Sequence, residues 1–210
     1  MEEIKSVCCI GCGGIMSWFA EHLRHMIDIY NYELHVVFYD NDEVEEKNIL
    51  RHTQNFSCDD LMEQKAEVIA NKFNFNKEIK FIEDDNINDL KRFDYVIMGV
   101  DNHKTRKLVY NFCIDNNIYL LDLRAQGTQV FYNVIDEITD KEKSKEYYNN
   151  KFFNNEQVMQ HKGSCQLTRD VENDHIENGN KLIAFMGAYN IFLKKLRGDK
   201  LLCNEFRFVY

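Results

Sequence analysis

Residues 4–17, IKSVCCI followed by GCGGIMS, decide how the chain is read. An apolar run ends in Gly11, Gly13 and Gly14, and an amphipathic segment, WFAEHLRHMIDIY, follows at once. Strand, glycine turn and helix in that order bring a nucleotide's phosphates against bare backbone and a helix N-terminus. The dinucleotide fingerprint places glycine at the first, third and sixth positions of such a turn. Here those positions are Gly11, Gly13 and Met16, with an additional glycine at Gly14. The loop alone therefore supports either a nucleotide site or a ligand-free glycine turn joining strand to helix.

Working outward, ELHVVFYDND is a second buried strand, rich in β-branched and aromatic residues and ending in acids. The loop EVEEKNILRHTQNF leads to DDLMEQKAEVIANKFNF, a helix with an apolar stripe at Leu61, Ala66, Ile69, Ala70 and Phe73, capped by Asp59 or Asp60. EIKFIE reads as a third strand, NINDLKR as a helical turn, and YVIMGV as a fourth strand stopping at Asp101. HKTRKLVYNFCIDNN is a helix and IYLLDL a fifth strand. Strands and helices that alternate through short loops make a parallel, doubly wound sheet.

The pattern then changes. GTQVFYNVID alternates as a half-exposed antiparallel strand does, and residues 140–162 are polar and charged. HIENGNKLIAFMGAYNIFLKKLR is a long apolar helix, and KLLCNEFRFVY alternates as an edge strand. The expected fold is α/β and Rossmann-like: a largely parallel sheet with helices on both faces and antiparallel strands added in the C-terminal third. The 210 residues, 44% of them hydrophobic, suffice for a single domain. It divides into a nucleotide-binding core (1–135), a crossover segment (136–175), and a C-terminal helix with an edge strand (176–210).

A net charge of −9 argues against a nucleic-acid partner, which needs a basic surface to displace counterions. No apolar run reaches the roughly 20 residues that span a bilayer, and the acidic start MEEIKSVCCI lacks the features of a signal peptide. A cytoplasmic protein with no membrane partner is expected. Seven cysteines, odd in number and irregularly spaced, support neither a disulfide framework nor a four-cysteine zinc site.

Several downstream residues complete the picture. Asp40, at the end of the second strand, is placed to accept hydrogen bonds from ribose hydroxyls, and Asp42 points the other way if the strand continues. Asn48, Arg51, Gln54 and Lys65 form a cluster that a nicotinamide enzyme does not need. A triphosphate does need it, because guanidinium and ammonium neutralise the departing pyrophosphate. Each of these cations is otherwise a surface ion pair. Asp101 stands at the carboxyl end of the fourth strand, which opens into the ligand crevice of such sheets. A carboxylate beside phosphates there is explained by Mg²⁺, and the same residue is a candidate helix cap. Arg106, about one turn on, anchors Asp101 or a substrate carboxylate.

GCGGIMS, DNDEVEEKNILR, EQKAEVIA and GVDNHKTR, in this order and at these spacings, resemble the ThiF/MoeB/HesA family. That is the adenylylating fold of the ubiquitin-activating enzyme superfamily, and the resemblance covers roughly residues 4–135. It implies binding of ATP and Mg²⁺, and adenylation of a carboxylate with release of pyrophosphate. The usual substrate is the C-terminus of a ubiquitin-like or sulfur-carrier protein, or of a peptide. A homodimer is implied as well. Carried over residue by residue, Gly11, Gly13 and Gly14 line the phosphates and Asp40, with Asp42, holds the ribose. Asn48, Arg51 and Lys65 grip the triphosphate, and Asp101 positions the metal, so that Arg51 and Asp101 are the catalytic residues.

Cys165, in GSCQ beside His161, Lys162 and Arg169, lies where some members place a cysteine that receives the activated acyl group. It is equally readable as a loop cysteine with no chemistry. The chain departs from the family pattern at Met16 and at His52, where glutamine is frequent and Gln54 stands nearby. It also lacks the paired zinc cysteines of longer members and the N-terminal extension that carries a further arginine. Two other readings stand beside this one. One is a nicotinamide- or flavin-dependent Rossmann oxidoreductase, against which Arg51, Lys65 and Asp101 argue. The other is a non-catalytic relative that holds nucleotide or partner without turnover.

Overall fold

Runs such as VCCI, VVFY and YVIM are apolar at consecutive positions, so both faces of each strand must be covered; only the interior of a parallel sheet meets that demand. A computed structural model describes residues 4–50, 53–137, 139–150, 174–199, 201 and 205–209. These runs become β1 (Ser6–Ile10), β2 (His35–Tyr39) and β4 (Tyr95–Met98). With β3 (Asn76–Glu78), β5 (Tyr119–Gln126), β6 (Gln129–Ile135) and β7 (Glu205–Val209) they form a seven-stranded sheet in the order β3-β2-β1-β4-β5-β6-β7. The strands from β1 to β5 are mutually parallel, and β6 and β7 are antiparallel additions.

The strand order reverses beside β1. The chain steps outward to β2 and β3, then returns to the other flank as β4. Ile10 pairs with both Tyr39 and Met98, so β1, β2 and β4 end level with one another. Their carboxyl-end loops therefore share one edge, which is the crevice of an open α/β sheet.

The helices are α1 (Gly14–Tyr30), α2 (Glu46–Ile49), α3 (Lys65–Phe73), α4 (His103–Asn116), α5 (Lys141–Tyr148) and α6 (His175–Phe185). A π-helical segment, Met186–Phe192, carries α6 into α7 (Leu193–Arg197). Alternation along β1 divides the core in two. Val7 and Cys9 face α1 and α6 with Phe19, Leu23, Ile183 and Phe192, whereas Cys8 and Ile10 face α4 and α5 with Val109, Tyr110 and Tyr148. Asn31, Asn74 and Asn117 close α1, α3 and α4 in the left-handed conformation, a role asparagine fills when glycine is absent.

Some local expectations are displaced. The third strand is Asn76–Glu78, not EIKFIE: the Asn74 cap ends α3 at Phe73, so the chain pairs with β2 at once, and the Asn76 amide also bonds the Val36 carbonyl at 3.3 Å. Ile79 and Phe81 are left exposed while Ile82 enters the core. Neither Asp59 nor Asp60 caps α3, which begins only at Lys65. Asp60 instead accepts from Ser57 N at 2.7 Å and closes a single helical turn, residues 58–60. GTQVFYNVID is not half-exposed, since β6 is buried from Val130 to Ile135, its two sides joining the two core clusters. β7 is the edge strand, with Phe208 and Val209 exposed. Of the polar segment 140–162, residues 140–150, with α5, are described, and residues 151–162 lie outside the described residues, as does Cys165. No helix among the described residues is long and apolar enough to cross a membrane.

Candidate active site

The three glycines of the β1–α1 turn differ in what they serve. Gly11 has φ +86°, a conformation open to glycine at little cost, and a Cβ there would stand 2.9 Å from Val100 Cγ1. Gly14 abuts α6, because a Cβ on it would lie 2.2 Å from Asn180 Nδ2. Gly13 alone faces open space, with nothing within 4 Å of a Cβ built on it. It is the N-cap of α1, without a side-chain cap and with no acid in the first turn. The free N–H groups and positive dipole end of that helix are thus left to an anion. Met16 is fully buried, and a Cβ on Gly99, just past β4, would come within 2.6 Å of Met16 Cγ. The close helix–strand approach that a sixth-position glycine normally permits is provided here from the strand side.

Asp40, 6% exposed, ends β2 beside this turn. One carboxylate oxygen accepts from Cys12 N at 2.6 Å and the other from Asp42 N at 2.8 Å. Burial raises its pKa; the N–H groups of Asp42 and Cys12 and the Lys65 charge oppose that rise. Asp42 faces elsewhere, pairing with the buried Lys65 ammonium at 3.3 Å, while Lys65 N donates to the Asp42 carbonyl at 2.9 Å. Asn48 is buried, and its Oδ1 accepts from Glu45 N at 2.9 Å, closing the capping box of α2.

Arg51 and His52 lie outside the described residues. The chain on either side is fixed: Thr53 N donates to Leu50 O at 3.2 Å, and Asn55 N donates to Ser17 Oγ at 3.0 Å. Thr53 Oγ1 and Gln54 Oε1 are buried with no hydrogen-bond partner among the described residues.

Asp101 is exposed in the turn after β4 and makes no hydrogen bond among the described residues. It is not the cap of α4. Asn102 is, accepting from Lys104 N at 2.8 Å and Thr105 N at 3.3 Å, which leaves the Asp101 carboxylate to other uses. Arg106 is buried, pairs with Asp122 and donates to the carbonyls of Val100 and Leu123. Asp122, fully buried on β5, is also bound by Arg124 Nε at 2.8 Å and by the Tyr148 hydroxyl. Tyr148 stacks on Tyr110 with ring centres 3.6 Å apart. The sequence reading missed this network; the only available sign was a charged D-x-R pair inside an otherwise apolar strand.

His103, half-buried at the start of α4, has its pKa lowered by burial and then by Arg106 and Arg124. Cys9 and Cys12 are spaced C-x-x-C but are fully buried free thiols, whose pKa values burial pushes up, so they are inert. No group of three or more His, Cys, Asp or Glu among the described residues could hold a metal by itself. A cleft of about 340 Å³ between His35, Asn76, Arg92 and Phe93 shares no residue with this loop cluster.

The sequence profile of the ThiF family matches residues 2–202. No curated protein sequence matches the chain. Among solved structures, E. coli MccB crystallised with AMPCPP and MccA superposes with a TM-score of 0.71 at 16% identity, covering 99% of this chain and 60% of that one. E. coli MccB with ATP gives 0.70 at 15% identity, covering 98% and 60%, and PaaA gives 0.64 at 15%, covering 98% and 69%. The chain thus spans about three-fifths of the length of MccB, and at these identities the likeness concerns the fold. Profile and strand order agree: the chain belongs to the ThiF family.

Proposed function

We propose that this chain is an ATP-dependent adenylyltransferase that activates the C-terminal carboxylate of a ubiquitin-like or sulfur-carrier protein, or of a peptide, as an acyl-adenylate. The observation that carries the proposal is the shared edge of β1, β2 and β4. There the uncapped, acid-free start of α1 at Gly13 lies with the buried Asp40 and the uncommitted Asp101. ThiF membership supports it, as does the crystallisation of MccB with ATP and with MccA.

In this reading the Gly13 turn and α1 hold phosphate oxygens. Each Asp40 oxygen already accepts one N–H and retains a lone pair for a ribose hydroxyl. Lys65 and Arg51 neutralise the triphosphate, and Gly11, Gly14, Asp42 and Asn48 shape the pocket that presents them. Asp101 fits Mg²⁺, an ion held by one or two carboxylates plus phosphate oxygens, not by a protein cage. When bound, the metal draws charge from the phosphates. The substrate carboxylate attacks the α-phosphorus as the bond to the bridging oxygen breaks and pyrophosphate departs. Lys65, Arg51 and Asp101 contribute positioning and charge balance rather than covalent chemistry. Cys165 is a candidate acyl acceptor. We further take residues 1–210 to act as one cytoplasmic adenylylating domain, paired as a homodimer.

The test is ATP–pyrophosphate exchange with a panel of Gly-Gly-ended carriers and short peptides. Exchange that depends on one of them and is abolished by Asp101→Ala is the expected result. ATP binding without exchange would mark a nucleotide-holding relative without turnover. Nicotinamide reduction with no affinity for ATP would overturn the proposal.

A further inference from the structure

Gly13, Asp40 and Lys65 stand on the β1–β2 flank of the crevice, Lys65 through its pair with Asp42. The β4–β5 flank is built differently. β4 stops at Met98, which pairs with Asp122, while β5 runs on through Leu123, Arg124, Ala125 and Gln126. β6 returns beside that extension, with Phe131 opposite Arg124 and Gln129 opposite Gln126. A two-stranded wall therefore stands past the level at which β4 ends.

His103, the first residue of α4, is within electrostatic reach of both sides of this flank: Arg106, Arg124, Asp122 and Asp101 all act on its ring. The ring is half-buried, and its Nδ1 is sealed from solvent with no hydrogen-bond partner among the described residues. A proton on Nδ1 would have no acceptor, so the neutral imidazole carries its proton on Nε2, at the outer edge of the ring. The α4 terminus does not compete with that donor, because the Asn102 side chain takes the N–H groups of Lys104 and Thr105.

We propose that His103 is a further substrate-binding residue, whose Nε2–H holds the carboxylate of the acyl substrate on the β4–β5 flank. The inference rests on the adenylyltransferase reading of this site and adds to it the place of the second substrate. In-line displacement sets the incoming oxygen opposite the departing pyrophosphate. With Lys65 drawing the triphosphate from the β2 flank, the acyl group is left the other one. There the guanidiniums of Arg106 and Arg124 outweigh the carboxylates of Asp122 and Asp101 in their effect on the ring, a field that suits an anion. The hydrogen bond goes to the carboxylate oxygen that does not attack. It passes to the acyl carbonyl once the adenylate forms, and no proton is transferred.

The experiment uses the full chain and two probes, ATP and glycylglycyl-sulfamoyladenosine, a stable mimic of an acyl-adenylate that carries both acyl group and nucleoside. Titration calorimetry gives each Kd, and urea denaturation reports folding. His103→Ala is expected to raise the Kd of the mimic at least about tenfold and to leave that of ATP within about twofold. In His103→Gln an amide N–H can take the place of Nε2–H, so the mimic should bind within about threefold of the wild type. Equal weakening of both probes in His103→Ala would put the ring on phosphate, and unchanged affinity for both would make it purely structural; either result overturns the inference. So would a glutamine variant as weak as the alanine one, or a wild-type chain that takes ATP but not the mimic. A wild-type chain that binds neither probe would instead overturn the nucleotide reading beneath it.

Discussion

Two buried carboxylates stand on the same sheet, Asp122 within β5 and Asp40 just past β2, and they are treated oppositely. Asp122 on β5 is saturated by ionised and hydroxyl partners, Arg106, Arg124 and Tyr148, gathered from α4, β5 and α5. Asp40 at the end of β2 receives, among the described residues, only backbone N–H groups, and Lys65 leans towards Asp42. Charge on the β5 side is consumed in joining elements. On the β2 side it is retained at a place where a ligand's hydroxyls and phosphates can complete it.

The largest effect should come from breaking the saturated side. Asp122→Ala leaves two guanidinium groups buried without their carboxylate, and a loss of about 3–5 kcal/mol in unfolding free energy is expected by urea titration. Replacing Arg106, Asp122 and Arg124 together by Met, Leu and Met should recover most of that loss, because a matched apolar set is often as stable as the buried ions it replaces. Unfolding of Asp122→Ala at the wild-type midpoint would show that this carboxylate does not join α4, β5 and α5.

Lys65→Met probes the other side. Its partner Asp42 is over half exposed, so stability should change by no more than about 1 kcal/mol. ATP affinity should fall at least about tenfold with the loss of a charge-assisted contact to phosphate. An affinity change no larger than the stability change would place Lys65 with the structural charges. Asp40→Asn is intermediate. An amide must turn an N–H towards either Cys12 N or Asp42 N, so about 1–3 kcal/mol of stability should be lost together with nucleotide binding.

The smallest effect concerns His103, which lies between the two regions. Its folded pKa is depressed by burial, Arg106 and Arg124, so below about pH 6.5 the unfolded chain binds the proton more readily. Its contribution to stability is present above pH 6.5 and lost as pH falls towards the folded pKa. His103→Gln should flatten the acid limb of a stability-versus-pH curve. A curve unchanged by the substitution would remove His103 from the network.

The alternation of apolar runs with amphipathic segments was enough to read the parallel half of the sheet, because strands buried on both faces have no other composition open to them. The places of Asp40 after β2, Lys65 on α3 and Asp101 after β4 were legible because element termini are local properties. What escaped was long-range. That Arg106 belongs to Asp122 depends on β5 lying beside β4, and no spacing rule carries that information. The Asn102 cap and the late start of α3 hinge on which of several adjacent polar residues wins the free N–H groups. Asn180 was hidden inside a segment read as apolar, since its partner Thr53 is 127 positions away.

The contact between Met16 and Gly99 bears on how such chains are recognised. A fingerprint written along one strand–turn–helix records where a side chain is missing, but the steric requirement belongs to two surfaces and can be met by leaving the gap in either. Here the bulk sits on the helix and the gap on the neighbouring strand. Met16→Gly alone should leave a void, Gly99→Ala alone should collide, and the two positions are free to change only as a pair. For relatives of this chain, pairing the residue at the turn's sixth position with the residue that ends β4 would identify the loop where a glycine count rejects it.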